Sequence, residues 1–133
     1  MRIRFSIALV AALLVCTAAQ AVSVSVELNT VETADNRCHI TFVVENKARE
    51  TLESLKLDLA VFNLQRIVQR RLATELGPVR GAKTIVKTFA LDGACGEIGS
   101  ILVNDVSCAP GKAEECLDGL SLTSRITAVR LYK

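Results

Sequence analysis

The chain has 133 residues, half of them apolar, with four phenylalanines, one tyrosine, one histidine and no tryptophan. Sixteen lysines and arginines face fourteen acids, and the surplus of two is Arg2 and Arg4 at the N-terminus, so the rest of the chain is formally neutral. A neutral body excludes general nucleic-acid binding, which requires neutralising several phosphates, and the length leaves room for one domain and hardly two.

Met1-Arg2-Ile3-Arg4 is a basic head, Phe5 to Val15 is an apolar run broken only by Ser6, and Ala19-Gln20-Ala21 is a small-x-small cleavage signal. This predicts a secretory signal peptide over residues 1–21, with an apolar run too short to span a bilayer. Cys16 behind Leu13-Leu14-Val15 raises the alternative of a lipid anchor, although a lipobox wants a small residue where Val15 stands. Residues 22–133 then form a single domain in the periplasm or outside the cell, with no second long apolar run to span a membrane.

The dominant signal in those residues is period two. Val22, Val24, Val26 and Leu28 alternate with Ser23, Ser25, Glu27 and Asn29. Cys38, Ile40, Phe42 and Val44 form a second such set, and Leu55, Leu57, Leu59 and Val61 a third. Each reads as a half-buried strand. Ile67 to Thr74, carrying Arg70 and Arg71, reads as an edge strand whose charges deter foreign pairing. Gly77-Pro78-Val79-Arg80-Gly81 is a turn. Lys83, Ile85, Lys87, Phe89 and Leu91 then share one face of a fifth strand. Ile98 to Val106 is apolar at its centre and predicts an inner strand. Leu120 to Leu131 changes parity near Thr127-Ala128, which predicts a bulge in a seventh. Lys112 to Leu117 is the one, short, helical stretch.

Seven alternating strands in about 110 residues predict an all-β fold, a seven-stranded immunoglobulin-like β-sandwich. The antibody pattern itself is absent, since there is no tryptophan and Cys95 precedes its strand. Outside the leader lie Cys38, Cys95, Cys108 and Cys116, an even set that reads as a disulfide framework in an exported chain. Of three possible pairings, Cys38–Cys95 and Cys108–Cys116 are favoured. Four thiolates on zinc are the alternative, but no C-x-x-C spacing supports it.

Cys38-x-x-x-Phe42-Val43-Val44-x-Asn46, Leu57 to Phe62, Gly77-Pro78 with Gly81-x-Lys83, Cys95, and Ile101-Leu102-Val103-Asn104-Asp105 followed by Cys108 together resemble small exported proteins of alphaproteobacteria. The resemblance spans nearly the whole of residues 22–133. It implies a bacterial periplasmic setting and supplies no catalytic residue.

Catalytic constellations are missing from the sequence. There is no G-x-S-x-G or S-x-x-K, and Ser107, Ser121 and Ser124 fall in strand or turn contexts. Gly93-Ala94-Cys95-Gly96 lacks the helix and lysine of a phosphate loop. His39 stands alone on the solvent side of its strand. CAPGKAEEC, residues 108–116, lies near Asn104, Asp105, Glu114, Glu115 and Asp118, hard oxygen donors that could suit calcium. Lys112 and the missing Asp-x-Asp pattern point instead to a solvated loop pinched by its own disulfide. Asn104-Asp105 reads as a strand end bonding its own backbone.

Charge is unevenly spread. Arg66, Arg70, Arg71, Arg80, Lys83 and Lys87 crowd residues 65–91, whereas Asp92, Glu97, Asp105, Glu114, Glu115 and Asp118 crowd residues 92–118. If the fourth and fifth strands pair as a hairpin, they present a basic ribbon to an anionic partner. In the other arrangement the two regions quench each other inside the fold. The expectation is a non-enzymatic binding or structural module without cofactor or metal. Its partner would be a protein or an anionic envelope component, met through an edge strand or the basic hairpin. Two alternatives stand beside it. One is a small metal-binding protein or enzyme built on the acidic Cys108–Cys116 region. The other is an assembly subunit exchanging the strand Val22 to Asn29.

Overall fold

The computed structural model describes residues 12–16 and 21–133. Most of the expected leader therefore lies outside the described residues. Eight strands follow in chain order: β1 (Val24–Ala34), β2 (Arg37–Asn46), β3 (Ser54–Asn63), β4 (Val68–Glu75), β5 (Lys83–Asp92), β6 (Ile98–Ala109), β7 (Leu120–Ser124) and β8 (Arg130–Tyr132). A 3₁₀ turn, Cys95–Glu97, precedes β6, and a six-residue helix α1 (Ala113–Asp118) precedes β7. The strands form two four-stranded sheets, ordered β5-β2-β1-β7 and β4-β3-β6-β8. This is the expected immunoglobulin-like sandwich with one strand more.

The eighth strand comes from the parity change near Thr127-Ala128. It marks a change of sheet, where a bulge was expected: β7 pairs with β1 and β8 pairs with β6, both in parallel. Ser124 makes the corner. Its Oγ lies 2.6 Å from the Val129 carbonyl and accepts the Ile126 N–H at 3.1 Å.

Alternation places the core. Val24, Val26 and Leu28 of β1, Ile40, Phe42 and Val44 of β2, and Leu55, Leu57 and Leu59 of β3 are all buried. Successive side chains of a strand point to opposite faces, so each set faces the opposing sheet. Phe42 meets Phe89 edge to face, with centroids 5.2 Å apart. Burying each such side chain contributes roughly 1.5–3 kcal/mol. The fully buried polar side chain of Asn46 donates to the Glu50 and Val79 carbonyls at 2.9 and 3.1 Å and accepts the Ala48 N–H at 3.1 Å. It therefore holds the crossover 47–53 against the turn after β4.

The cysteines pair as Cys38–Cys95 and Cys108–Cys116. The first ties β2 to the crossover between the sheets. The second closes the loop that carries α1, and Gly111 packs over both of its sulfurs and against Val22. Gly119 beyond α1 accepts the Val24 N–H at 3.0 Å, so the stapled loop fixes the start of β1. Two disulfides in a chain this small point to an oxidising, extracytoplasmic environment. Among the described residues no helix is long and apolar enough to cross a membrane.

Candidate functional site

The basic hairpin does not form. β4 and β5 belong to different sheets and are the edge strands on one side of the sandwich. The cause lies in the connection 76–82, which crosses from the second sheet to the first as Leu76 and Val79 bury into the core and Val79 bridges Leu52. The six cations therefore scatter. Arg70 pairs with Asp92 at 3.6 Å and Arg71 with Asp58 at 2.8 Å. Arg66 sits at the tip joining β3 to β4, while Arg80 and Lys83 lie at the opposite end, roughly 25 Å away along the strands. Lys87 lies opposite Phe42 in register, on the inward-facing side of its edge strand.

Arg70 pairs in register with buried Val61, so β4 also carries an inward-facing charge. An added strand would bury these charges, which is how natural sheets protect their edges. The cleft between the β4 and β5 edges, about 200 Å³, holds Arg70 with Asp92 and Glu97, so its one cation is already countered.

The acidic region does not converge either. Asn104 is no strand end: it is the extra residue of a bulge inside β6, where Asp58 faces Asp105 and Leu59 faces Val103. Its Nδ2 donates to Asp58 at 3.1 Å, while Asp105 accepts the N–H of Val106. Glu115 accepts the Lys112 N–H at the start of α1. Among the described residues no group of three His, Cys, Asp or Glu side chains is arranged to hold a metal. His39 faces away from the core as expected, with Glu32 and Ala90 as its cross-strand neighbours. The hydrogen bond from Asn104 is the largest influence lowering the Asp58 pKa; burial opposes it, and the Arg71 guanidinium adds to the lowering.

A different place gathers chemistry. At the far end of β3 both neighbouring strands carry an extra residue, Gln69 on β4 and Gly99 on β6. Bulges bend a strand and re-aim its side chains. Here two of them flank Phe62, and the sheet end hollows into a groove of about 510 Å³. Phe62, Ser100 and Arg130 form one row across β3, β6 and β8. Tyr132 lies two residues beyond Arg130, whose guanidinium stacks 3.9 Å from the ring centre. Leu64 and Arg66 of the β3–β4 tip form the other bank.

That tip is built by Asn63. Its Oδ1 accepts the N–H groups of Gln65 and Ile67, both at 3.0 Å, and its backbone closes the turn with Ile67 and Arg66. Arg66 takes φ of 63°, a left-handed conformation that costs a side-chain-bearing residue about 1–2 kcal/mol. Within residues 21–133, five large apolar side chains are exposed, and Leu64, Ile67 and Val68 of this hairpin are three of them. Neither Arg66 nor Arg130 takes part in any of the ion pairs among the described residues.

Of the expected binding residues the groove keeps Arg66 alone. It adds Phe62, Leu64, Arg130 and Tyr132, which the charge count of residues 65–91 could not reach. Arg130 lies 64 positions beyond Arg66, and only the sheet change before β8 brings it near. The sole sequence signal was Arg130-Leu131-Tyr132, a cation and an aromatic at strand spacing.

No protein-family model and no curated protein matches the chain. Among solved structures it is similar to IrmA from Escherichia coli, with a TM-score of 0.57 over 76% of this chain and 91% of that one, at 10% sequence identity. At that identity the likeness shows a shared sandwich fold.

Proposed function

We propose that this protein is a non-catalytic binding module of the bacterial envelope, and that it meets its partner through the β3–β4 tip and the adjoining groove. The observation that carries this reading is the concentration of exposed Leu64, Ile67 and Val68 on one hairpin beside a groove of about 510 Å³. Apolar side chains clustered on a surface and rimmed by arginine and tyrosine have the composition of a recognition patch. The groove holds no acid, base and nucleophile in hydrogen-bonded sequence, which favours binding over catalysis. The β4 and β5 edges carry inward-facing Arg70 and Lys87, which disfavours strand addition at those two edges. β1 lies between β2 and β7 with ladders on both flanks, so exchange of that strand would sacrifice two pairings.

Crosslinking in intact cells, followed by mass spectrometry of what is captured, tests the reading. The double variant Leu64→Asp, Ile67→Asp should fold normally, because both side chains are exposed, and should lose the captured partner. Undiminished capture by that variant would remove the tip and its groove from the account.

A further inference from the structure

The groove combines features that narrow its occupant. Its two banks carry Arg66 and Arg130, and no acidic side chain lines it. Arg130 is stacked on Tyr132, which fixes the guanidinium plane and leaves its in-plane N–H donors for an acceptor. Between the banks lie Phe62, Ser100 and Gly99, whose missing side chain lets the Asn63–Leu64 backbone pack directly against the floor. From β3 to β8 the trough spans two strand spacings, about 10 Å, and an extended chain with its side chains needs about the same. Its volume falls within the roughly 300–1,000 Å³ of ligand sites.

Resting on the binding reading above, we infer that the groove takes an extended polypeptide segment bearing a carboxylate beside a large apolar side chain. The carboxylate lies between Arg66 and Arg130, where a planar guanidinium can make paired hydrogen bonds to it. The apolar side chain packs on Phe62 and the Leu64 side of the tip. A flat anionic lipid surface would touch the projecting tip and miss the concave floor. An anionic polysaccharide would supply the charge and leave the apolar bank wet. A polypeptide satisfies both halves of the groove.

The test uses a displayed library of short random peptides selected against the purified protein. The expected pool is enriched in Asp or Glu next to Leu, Ile or Phe. A peptide from it should shift the backbone amide resonances of Ser100 and Tyr132. Arg66→Gly is the decisive variant, because glycine accepts the positive φ at no cost while the guanidinium is lost. It should keep or raise the melting midpoint and weaken binding about tenfold, as should Arg130→Gln; tenfold corresponds to about 1.4 kcal/mol. A pool without acidic enrichment, or one that binds both variants as well as the parent, overturns the inference. Binding to anionic vesicles or to an anionic polysaccharide with no peptide selected overturns it as well. If Leu64→Asp, Ile67→Asp loses its cellular partner while Arg66→Gly and Arg130→Gln retain it, the inference fails and the binding reading stands. If the apolar variant also retains the partner, both fall.

Discussion

Gly99 lies against the carbonyl oxygen of Asn63, so close that a Cβ at position 99 would overlap it. The bulge at the groove floor therefore depends on the missing side chain. Gly99→Ala should force the two backbones apart and cost about 1–3 kcal/mol, read as a lower denaturant midpoint. Gly96→Ala is the matched control, since a Cβ there meets nothing within 4 Å, and it should stay within about 0.5 kcal/mol of the parent.

Asn46→Ala should be among the more damaging single changes outside the apolar core. It removes the side-chain partner of the Glu50 carbonyl and of the Ala48 N–H, and one of the two partners of the Val79 carbonyl, which keeps the Leu52 N–H. Leaving buried polar groups unpaired costs about 1–3 kcal/mol each. A loss of roughly 3 kcal/mol in chemical denaturation is expected. Asn46→Asp should be no better, because a carboxylate cannot donate to two carbonyls.

The two disulfides should differ in worth. In the chain-entropy picture the bridge spanning 57 residues contributes about 4 kcal/mol and the one spanning 8 about 2.5 kcal/mol. Serine pairs at Cys38 and Cys95, and separately at Cys108 and Cys116, allow the comparison by urea titration. The second pair should also speed hydrogen exchange at the Val24 amide, because its acceptor Gly119 lies just beyond the stapled loop. Equal losses from the two pairs would refute the loop-length ranking.

Asp58 should give the domain an acid-sensitive contribution to stability. Its folded pKa lies below that of a free aspartate, first because Asn104 donates to it and then because of Arg71, with burial opposing. A depressed carboxylate stabilises the fold above the unfolded-state value of about 3.9, and that contribution fades as pH falls through the lower folded value. The stability gap between the parent and Asp58→Asn should therefore be constant near neutrality and narrow below about pH 4. A gap unchanged in strong acid would mean that Asp58 acts through packing alone.

Most of the fold was legible because period two is a local property. Val24 to Leu28, Ile40 to Val44 and Leu55 to Val61 announced their buried faces, and cysteine parity announced the bridges. What escaped was non-local. The bulges at Gln69, Gly99 and Asn104 are relations between strands, and no single strand reveals them. Whether β4 and β5 pair depended on Leu76 and Val79 diving into the core between them. Charge counted along the chain therefore misplaced the basic surface. The groove needed Arg66 and Arg130 to line one hollow across a sheet order that no local pattern encodes.

The parallel pairing of Val24 with Leu120 also has a temporal side. β1 and β2 are neighbours in sequence and can pair early, but the other flank of β1 waits for a segment 96 positions further along the chain (120 − 24). Through that interval a row of backbone N–H and C=O groups stays unpaired along one side of the strand. Foreign pairing along that edge competes with folding until β7 closes it, so the β1–β7 ladder guards the domain against aggregation.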